Sequence, residues 1–320
     1  MSRPVRQTVE HTTGALLERA PGKAAHASAC TTYTQFRGES AMTDHASANL
    51  APAADRLLLF VPMYNCAPQI GRVFARFDPA IQGLFAGVLI IDNGSRDGSV
   101  AAAIAATAQL DLPVSLVRNN ENFNLGGSHK VAFNHALDHG YTHVVVLHGD
   151  DQADIRDIAP LLERGAHRRA DCLLGSRFGT GARREGYSAL RTAGNWAFNL
   201  LFSAAAHRPL IDLGSGLNCF ATAPLADRFY LTLADDLTFN YHLILAIAQR
   251  RLRYRFFPIT WREEDQVSNV KLLRQAVRAL QIVGGYTLEP RAYLARSHAD
   301  HPPQDYRATL LHQHPRRAAA

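Results

Sequence analysis

Only four cysteines occur in 320 residues, and no two of them form a CxxC pair. Cys30, Cys66, Cys172 and Cys219 are widely scattered. That argues against a disulfide framework or a thiolate zinc site, and for buried thiols in a reducing compartment. Long apolar runs are missing as well. LLLFV and GVLII fall far short of the ~20 residues that a spanning helix needs, and the first residues do not read as a secretory leader. Neither GxGxxG nor GxxxxGK[ST] is present, which argues against dehydrogenase and P-loop chemistry. The formal charge of +6 suits polyanionic partners such as nucleotides or phospholipids. It is too mild, and too little interleaved with aromatics, for nucleic acid.

What is there begins at Arg56. Residues 1–54 are rich in Ala, Ser, Thr, His and Gly without periodicity, which predicts a disordered extension; Met42 lies inside it. After Arg56, short apolar runs alternate with helical patterns. Strands are expected at Leu57–Val61, Val88–Ile91, Val114–Val117, His143–Leu147 and Cys172–Leu174. Helices are expected between them, including one over Asp154–Arg169. This alternation predicts an α/β layer with a mainly parallel sheet. Beyond Ser188 the pattern is more helical (Leu190–Ala206, Leu237–Gln249), followed by a strand-like RYRFFPITW and an amphipathic Val270–Val283. The domain is expected over 55–296, with a disordered tail over 297–320.

Ligands bind outside the carboxyl ends of strands in such sheets, and three polar clusters fall there. They are VPMYN (61–65), IDNGSRDGS (91–99) and HGDDQAD (148–154). Carboxylates crowded at a strand end repel one another unless a cation or donors lie between them. Asp154 reads as a helix N-cap.

Together with NFNLGGSHKVAFNHALDHG, LGSRF, RTAGNWAFN and IDLGSG in this order, these stretches resemble glycosyltransferase family 2. The likeness runs from about Leu57 to Lys271 and is strongest to the polyprenyl-phosphate mannosyltransferase-like branch. It implies a GT-A type Rossmann-like fold, a mainly parallel sheet flanked by helices with a more helical C-terminal part. It further implies a metal-dependent inverting hexosyltransferase that takes a nucleotide-diphospho-sugar donor. On that resemblance Pro62 and Tyr64 line the nucleotide pocket, Asp92 hydrogen-bonds the base, and Arg177 and Arg191 receive phosphates. Asp150 takes the place of the final aspartate of the family's DxD and holds Mg²⁺ or Mn²⁺. His148 stands where the family has a carboxylate, with Asp151 as the substitute ligand, and an imidazole favours Mn²⁺.

Asp235 and Asp236 are the candidate bases if the acceptor is a hydroxyl; a lipid phosphate needs none. The resemblance also implies a polyprenyl phosphate acceptor and a cytoplasmic enzyme at the inner face of a membrane. There the Arg-bearing loop Phe178–Tyr187 and the basic stretch Val270–Val283 would make peripheral contact. Two other readings stay open: a sugar nucleotidyltransferase, and an inactive nucleotide-binding or scaffold protein.

Overall fold

The computed structural model describes residues 54–263 and 272–316; the expected N-terminal extension lies outside them, save Ala54. The strands that build the main sheet are β1 (Leu57–Met63), β2 (Gly87–Asp92), β3 (Val114–Asn119), β4 (His143–Leu147) and β5 (Cys172–Ser176). The short β6 (Arg183–Glu185) follows, then β7 (Leu217–Ala221), β8 (Tyr254–Pro258), β9 (Thr260–Arg262) and β10 (Ala308–His314). Helices α1 (Ala67–Phe74), α2 (Pro79–Gln82), α3 (Ser99–Thr107), α4 (Asn124–Asp138) and α5 (Ala159–Glu163) connect the first strands. The later ones are α6 (Ala189–Ala206), α7 (Phe239–Gln249), α8 (Leu272–Leu288) and α9 (Pro290–Ala295).

The main sheet runs β10-β3-β2-β1-β4-β7-β5-β8, and β6 pairs with β9 beside it. Strands β3, β2, β1 and β4 are mutually parallel, as are β5 and β8. The near-continuous apolar runs of β1, β2 and β4 are what a parallel sheet covered on both faces requires. Side chains of β1 alternate faces. Leu57, Leu59, Val61 and Met63 join one core with Ile70, Val73 and Phe74 of α1 and Leu162 of α5. Leu58 and Phe60 join the other, with Val131 and Phe133 of α4, Leu243 and Leu245 of α7, and Ile282 of α8.

Three expectations need correction. The helix over Asp154–Arg169 is broken into two 3₁₀ turns around α5, Ile155–Asp157 and Ala166–Arg169. Gly165, in the left-handed region at φ 65°, marks the second break, and Asp154 caps the first turn through Arg156 N. Strand β7 was not foreseen; it enters antiparallel between β4 and β5. The tail is ordered through 316: β10 pairs antiparallel with β3, Ala308 opposite Asn119 and His314 opposite Val114. Its polar composition suits an edge strand, where one face stays wet and the backbone supplies the bonds.

Candidate active site

Three loops converge at the carboxyl ends of β1, β2 and β4, and backbone bonds hold them in place. Gly149 N donates to Pro62 O at 3.1 Å, and Asn93 N to Met63 O at 2.9 Å. The loop after β1 is zipped to the loop after β2 by side chains. Asn65 N donates to Ser95 Oγ (2.9 Å), Cys66 N to Ser99 Oγ (2.8 Å) and Ala67 N to Asp97 Oδ2 (3.0 Å). Arg96 N returns a bond to Asn65 Oδ1 at 2.9 Å. Tyr64 stands exposed between them, free to meet a flat ring. Pro62 is buried in the strand end.

Asp92 closes β2 but does not face the cleft. It is fully buried, accepts Ser95 N at 3.0 Å on Oδ1 and takes Arg118 Nε at 2.7 Å on Oδ2. The group offered outward is the Arg118 guanidinium, at the end of the neighbouring β3. Asp92 is in register with Arg118 across β2 and β3; that pairing is a long-range fact that the sequence alone did not signal. Behind them Asn93, Asn119, Asn122 and Ser128 form a chain of amide and hydroxyl bonds of 2.7–2.9 Å.

The carboxylates after β4 divide in two. Asp151, at a left-handed φ of 62°, takes Arg72 Nε at 2.7 Å and also pairs with Arg76. Asp154 takes Arg156 Nη2 at 2.6 Å and lies 3.3 Å from Arg262. Burial opposes its charge, but Arg156 and Arg76 hold its carboxyl down at about 2. The expected substitute ligand, Asp151, is therefore committed to two arginines of α1 and its following turn. Asp150 has another environment. Gln152 N donates to its Oδ1 at 3.2 Å, and burial pushes its pKa up to about 6. A carboxylate so destabilised is one that gains from a cation.

His148, two residues earlier, is fixed by β7: its N–H donates to Gly216 O at 2.9 Å, and its ring packs where a Cβ on Gly216 would lie 3.0 Å from Cγ. Burial holds its pKa at about 4, so the ring is neutral. Its Nε2 is buried and has no hydrogen-bond partner. His148 packs against His129, ring centroids 6.2 Å apart; an imidazole nitrogen without a partner and, two residues on, a carboxylate of raised pKa are donor types that suit a divalent cation.

The remaining expected residues are engaged elsewhere. Arg177, at the end of β5, clasps buried Asp212 with two bonds (Nη2–Oδ1 2.7 Å, Nε–Oδ2 2.9 Å) under the ring of Trp261 at 5.0 Å. Asp212 also accepts Arg177 N at 2.8 Å and Gly214 N at 3.1 Å, so a phosphate at Arg177 would have to share a guanidinium already held by this carboxylate. Arg191 pairs with Glu263 Oε2 at 2.5 Å and covers Tyr187. Asp235 is buried and holds Lys130 Nζ at 2.6 Å and the Tyr306 hydroxyl at 2.8 Å; as a base for an incoming acceptor it is closed off. Burial lowers the Lys130 pKa. Asp236 is partly exposed; it pairs with Arg278 and accepts Thr238 N at 2.8 Å.

The glucosyl-3-phosphoglycerate synthase of Mycobacterium tuberculosis shares this fold. Its complex with Mn²⁺, uridine-diphosphate and glucosyl-3-phosphoglycerate superposes with a TM-score of 0.52 at 15% identity, over 82% of this chain and 91% of that one. Its complex with Mn²⁺, uridine-diphosphate-glucose and glycerol 3-phosphate gives a TM-score of 0.52 at 15% identity, over 76% and 82%. At that identity the likeness is one of fold, the GT-A architecture. No curated protein matches the sequence. The sequence model of glycosyl transferase family 2 matches residues 59–223, which carry β1 through β7 and the three rim loops, and the chain accordingly belongs to that family.

Proposed function

We propose that the protein moves a hexose from a nucleotide-diphospho-sugar to an acceptor with inversion at the anomeric carbon. The observation that carries this is the raised pKa of Asp150, at the family's DxD position after β4, supported by the unpartnered Nε2 of His148 two residues earlier. Those two would hold the cation, and the imidazole favours Mn²⁺ over Mg²⁺. Such an ion, when bound, neutralises charge growing on the departing diphosphate. The chain's own residues do the rest. Tyr64 and the zipped loops 64–67 and 93–99 receive the nucleotide, with Pro62 behind them. Arg118, oriented by Asp92, contacts it. Asp236 is the accessible carboxylate for taking a proton from an acceptor hydroxyl.

For the acceptor we favour a polyprenyl phosphate, already anionic and in need of no base. Support comes from α6 and α8, which pack on one another. On α6, Leu190, Trp196 and Leu200 are 81, 57 and 73% exposed, and on α8 Leu273, Val277 and Leu280 form an exposed stripe. Such a patch marks a contact surface. Arg184, which covers Phe178 beside Trp196, and the exposed Arg274 of α8 border it. In a pair of copies these basic rims would meet and repel, whereas an anionic bilayer complements them. None of the described helices is long and apolar enough to cross a membrane, so the contact proposed is peripheral, at an inner membrane face. The transferase domain is proposed to start near residue 55.

Release of nucleoside diphosphate from a panel of sugar nucleotides, with Mn²⁺ and with Mg²⁺, tests the donor half. Release with none of them, from protein whose fold is intact, would overturn the transferase reading. A short polyprenyl phosphate against soluble sugars tests the acceptor half, and transfer only to a soluble sugar would overturn the lipid reading.

A further inference from the structure

A second set of metal-ligating side chains lies at the opposite end of the sheet. His143 opens β4 in register with Leu57, the first residue of β1, and Asp55 stands two residues before that strand. His167 sits in the 3₁₀ turn that leads into β5. His148 is five residue steps from His143, about 16 Å along β4. The two places are therefore distinct.

Among the described residues this is the one group of three such side chains whose ligand atoms all lie within 4.8 Å of one another. Both histidines are buried, and their rings meet edge to face with centroids 4.8 Å apart. His167 Nε2 lies 2.9 Å from Asp55 Oδ2, and His143 Nδ1 lies 3.0 Å from Thr142 Oγ1, which fixes each ring. His167 Nδ1 is buried with no hydrogen-bond partner, an atom that wants a donor or a cation. Arg168 Nε also reaches Asp55 Oδ2, at 2.5 Å, but its side chain is 67% exposed and can swing into water.

We propose that Asp55, His143 and His167 bind a zinc-type dication that pins the entry of β1 to the entries of β4 and β5. Two imidazoles and one carboxylate suit Zn²⁺ better than Mg²⁺ or Ca²⁺, with water in the fourth position. The role is structural, because the site lies far from the rim where the donor is proposed to bind.

The test uses untagged full-length protein, stripped with a chelator, loaded with Zn²⁺ and desalted before metal is counted. Wild type should keep close to one zinc per chain, and Co²⁺ in its place should give a visible absorption band. Asp150→Asn should keep the same zinc. So should the double variant His135→Ala/His139→Ala, which removes the stacked pair on α4 (centroids 4.0 Å apart). His143→Gln and His167→Gln should bind at least tenfold more weakly. Asp55→Asn, at the partly exposed member, serves where a histidine variant does not fold, as checked by circular dichroism. No zinc on wild type, loss of zinc in Asp150→Asn, or undiminished zinc in folded Asp55→Asn and His167→Gln would overturn the proposal.

Discussion

With its pKa raised from the usual 3.8 to about 6 by burial, Asp150 holds its proton more tightly folded than unfolded. The stability that the protonated form contributes is complete below pH 3.8 and is lost as pH rises through about 6. In chelator, Asp150→Asn should therefore be more stable than wild type by about 3 kcal/mol above pH 7. The gap should shrink as pH falls from 6 toward 4. Urea melts across that range check it; a gap that stays constant with pH would separate Asp150 from the burial described. In the same variant turnover should fall at least a hundredfold with Mn²⁺ present. Arg118→Ala should raise the KM for the sugar nucleotide several-fold with kcat little changed, since a contact equal in ground and transition states affects binding chiefly. Steady-state kinetics decide it, and an unchanged KM would remove Arg118 from the nucleotide side. Asp92 and Asp150 were legible in the sequence because each ends or follows an apolar run. Their partners were not. Whether a carboxylate faces the cleft or an arginine depends on strand register and on which helix packs nearby, as Arg118, Arg72 and Arg76 demonstrate.

Elements divide along the same line. The parallel strands β1, β2 and β4 were readable because burial on both faces demands continuous apolar sequence. Strands β7 and β10 were not, since LNCFA and ATLLHQH take their structure from partners far along the chain. Yet β7 presses Gly216 against His148, so an element that sequence reading missed shapes the proposed cation site. Strand β10 covers the outer edge of β3, which would otherwise present unpaired amide and carbonyl groups. Ending the chain after Tyr306 should therefore make the protein prone to self-association and open β3 to exchange. Amide exchange on Val114–Asn119 is the readout; protection equal to that of the full chain would show that β10 contributes nothing to this edge.

At the scale of the whole molecule, exposed apolar side chains gather on α6 and α8. The apolar face of α6 and α8 and its arginine border should bind anionic vesicles weakly, each arginine adding on the order of 1 kcal/mol. Salt should erode that attraction. Trp196, 57% exposed, is a built-in reporter: its emission should shift to the blue with anionic vesicles at low salt and return at high salt. Leu200→Gln should blunt the shift without changing the melting temperature. No shift with any vesicle would leave the face to a protein partner.

The buried contact of Lys130 with Asp235 and Tyr306 also bears on how the chain is made. The three residues are separated by 105 and 71 positions, and Tyr306 is the last of them to be made. A ribosome releases the lysine long before the tyrosine, so for 105 residues of synthesis this cation lacks its counter-charge, and for a further 71 it lacks the Tyr306 hydroxyl. The nascent chain cannot complete the second core until Tyr306 has been made. Ribosome-bound fragments that stop short of Tyr306 should thus remain sensitive to protease around α4, a window in which a chaperone would find its substrate.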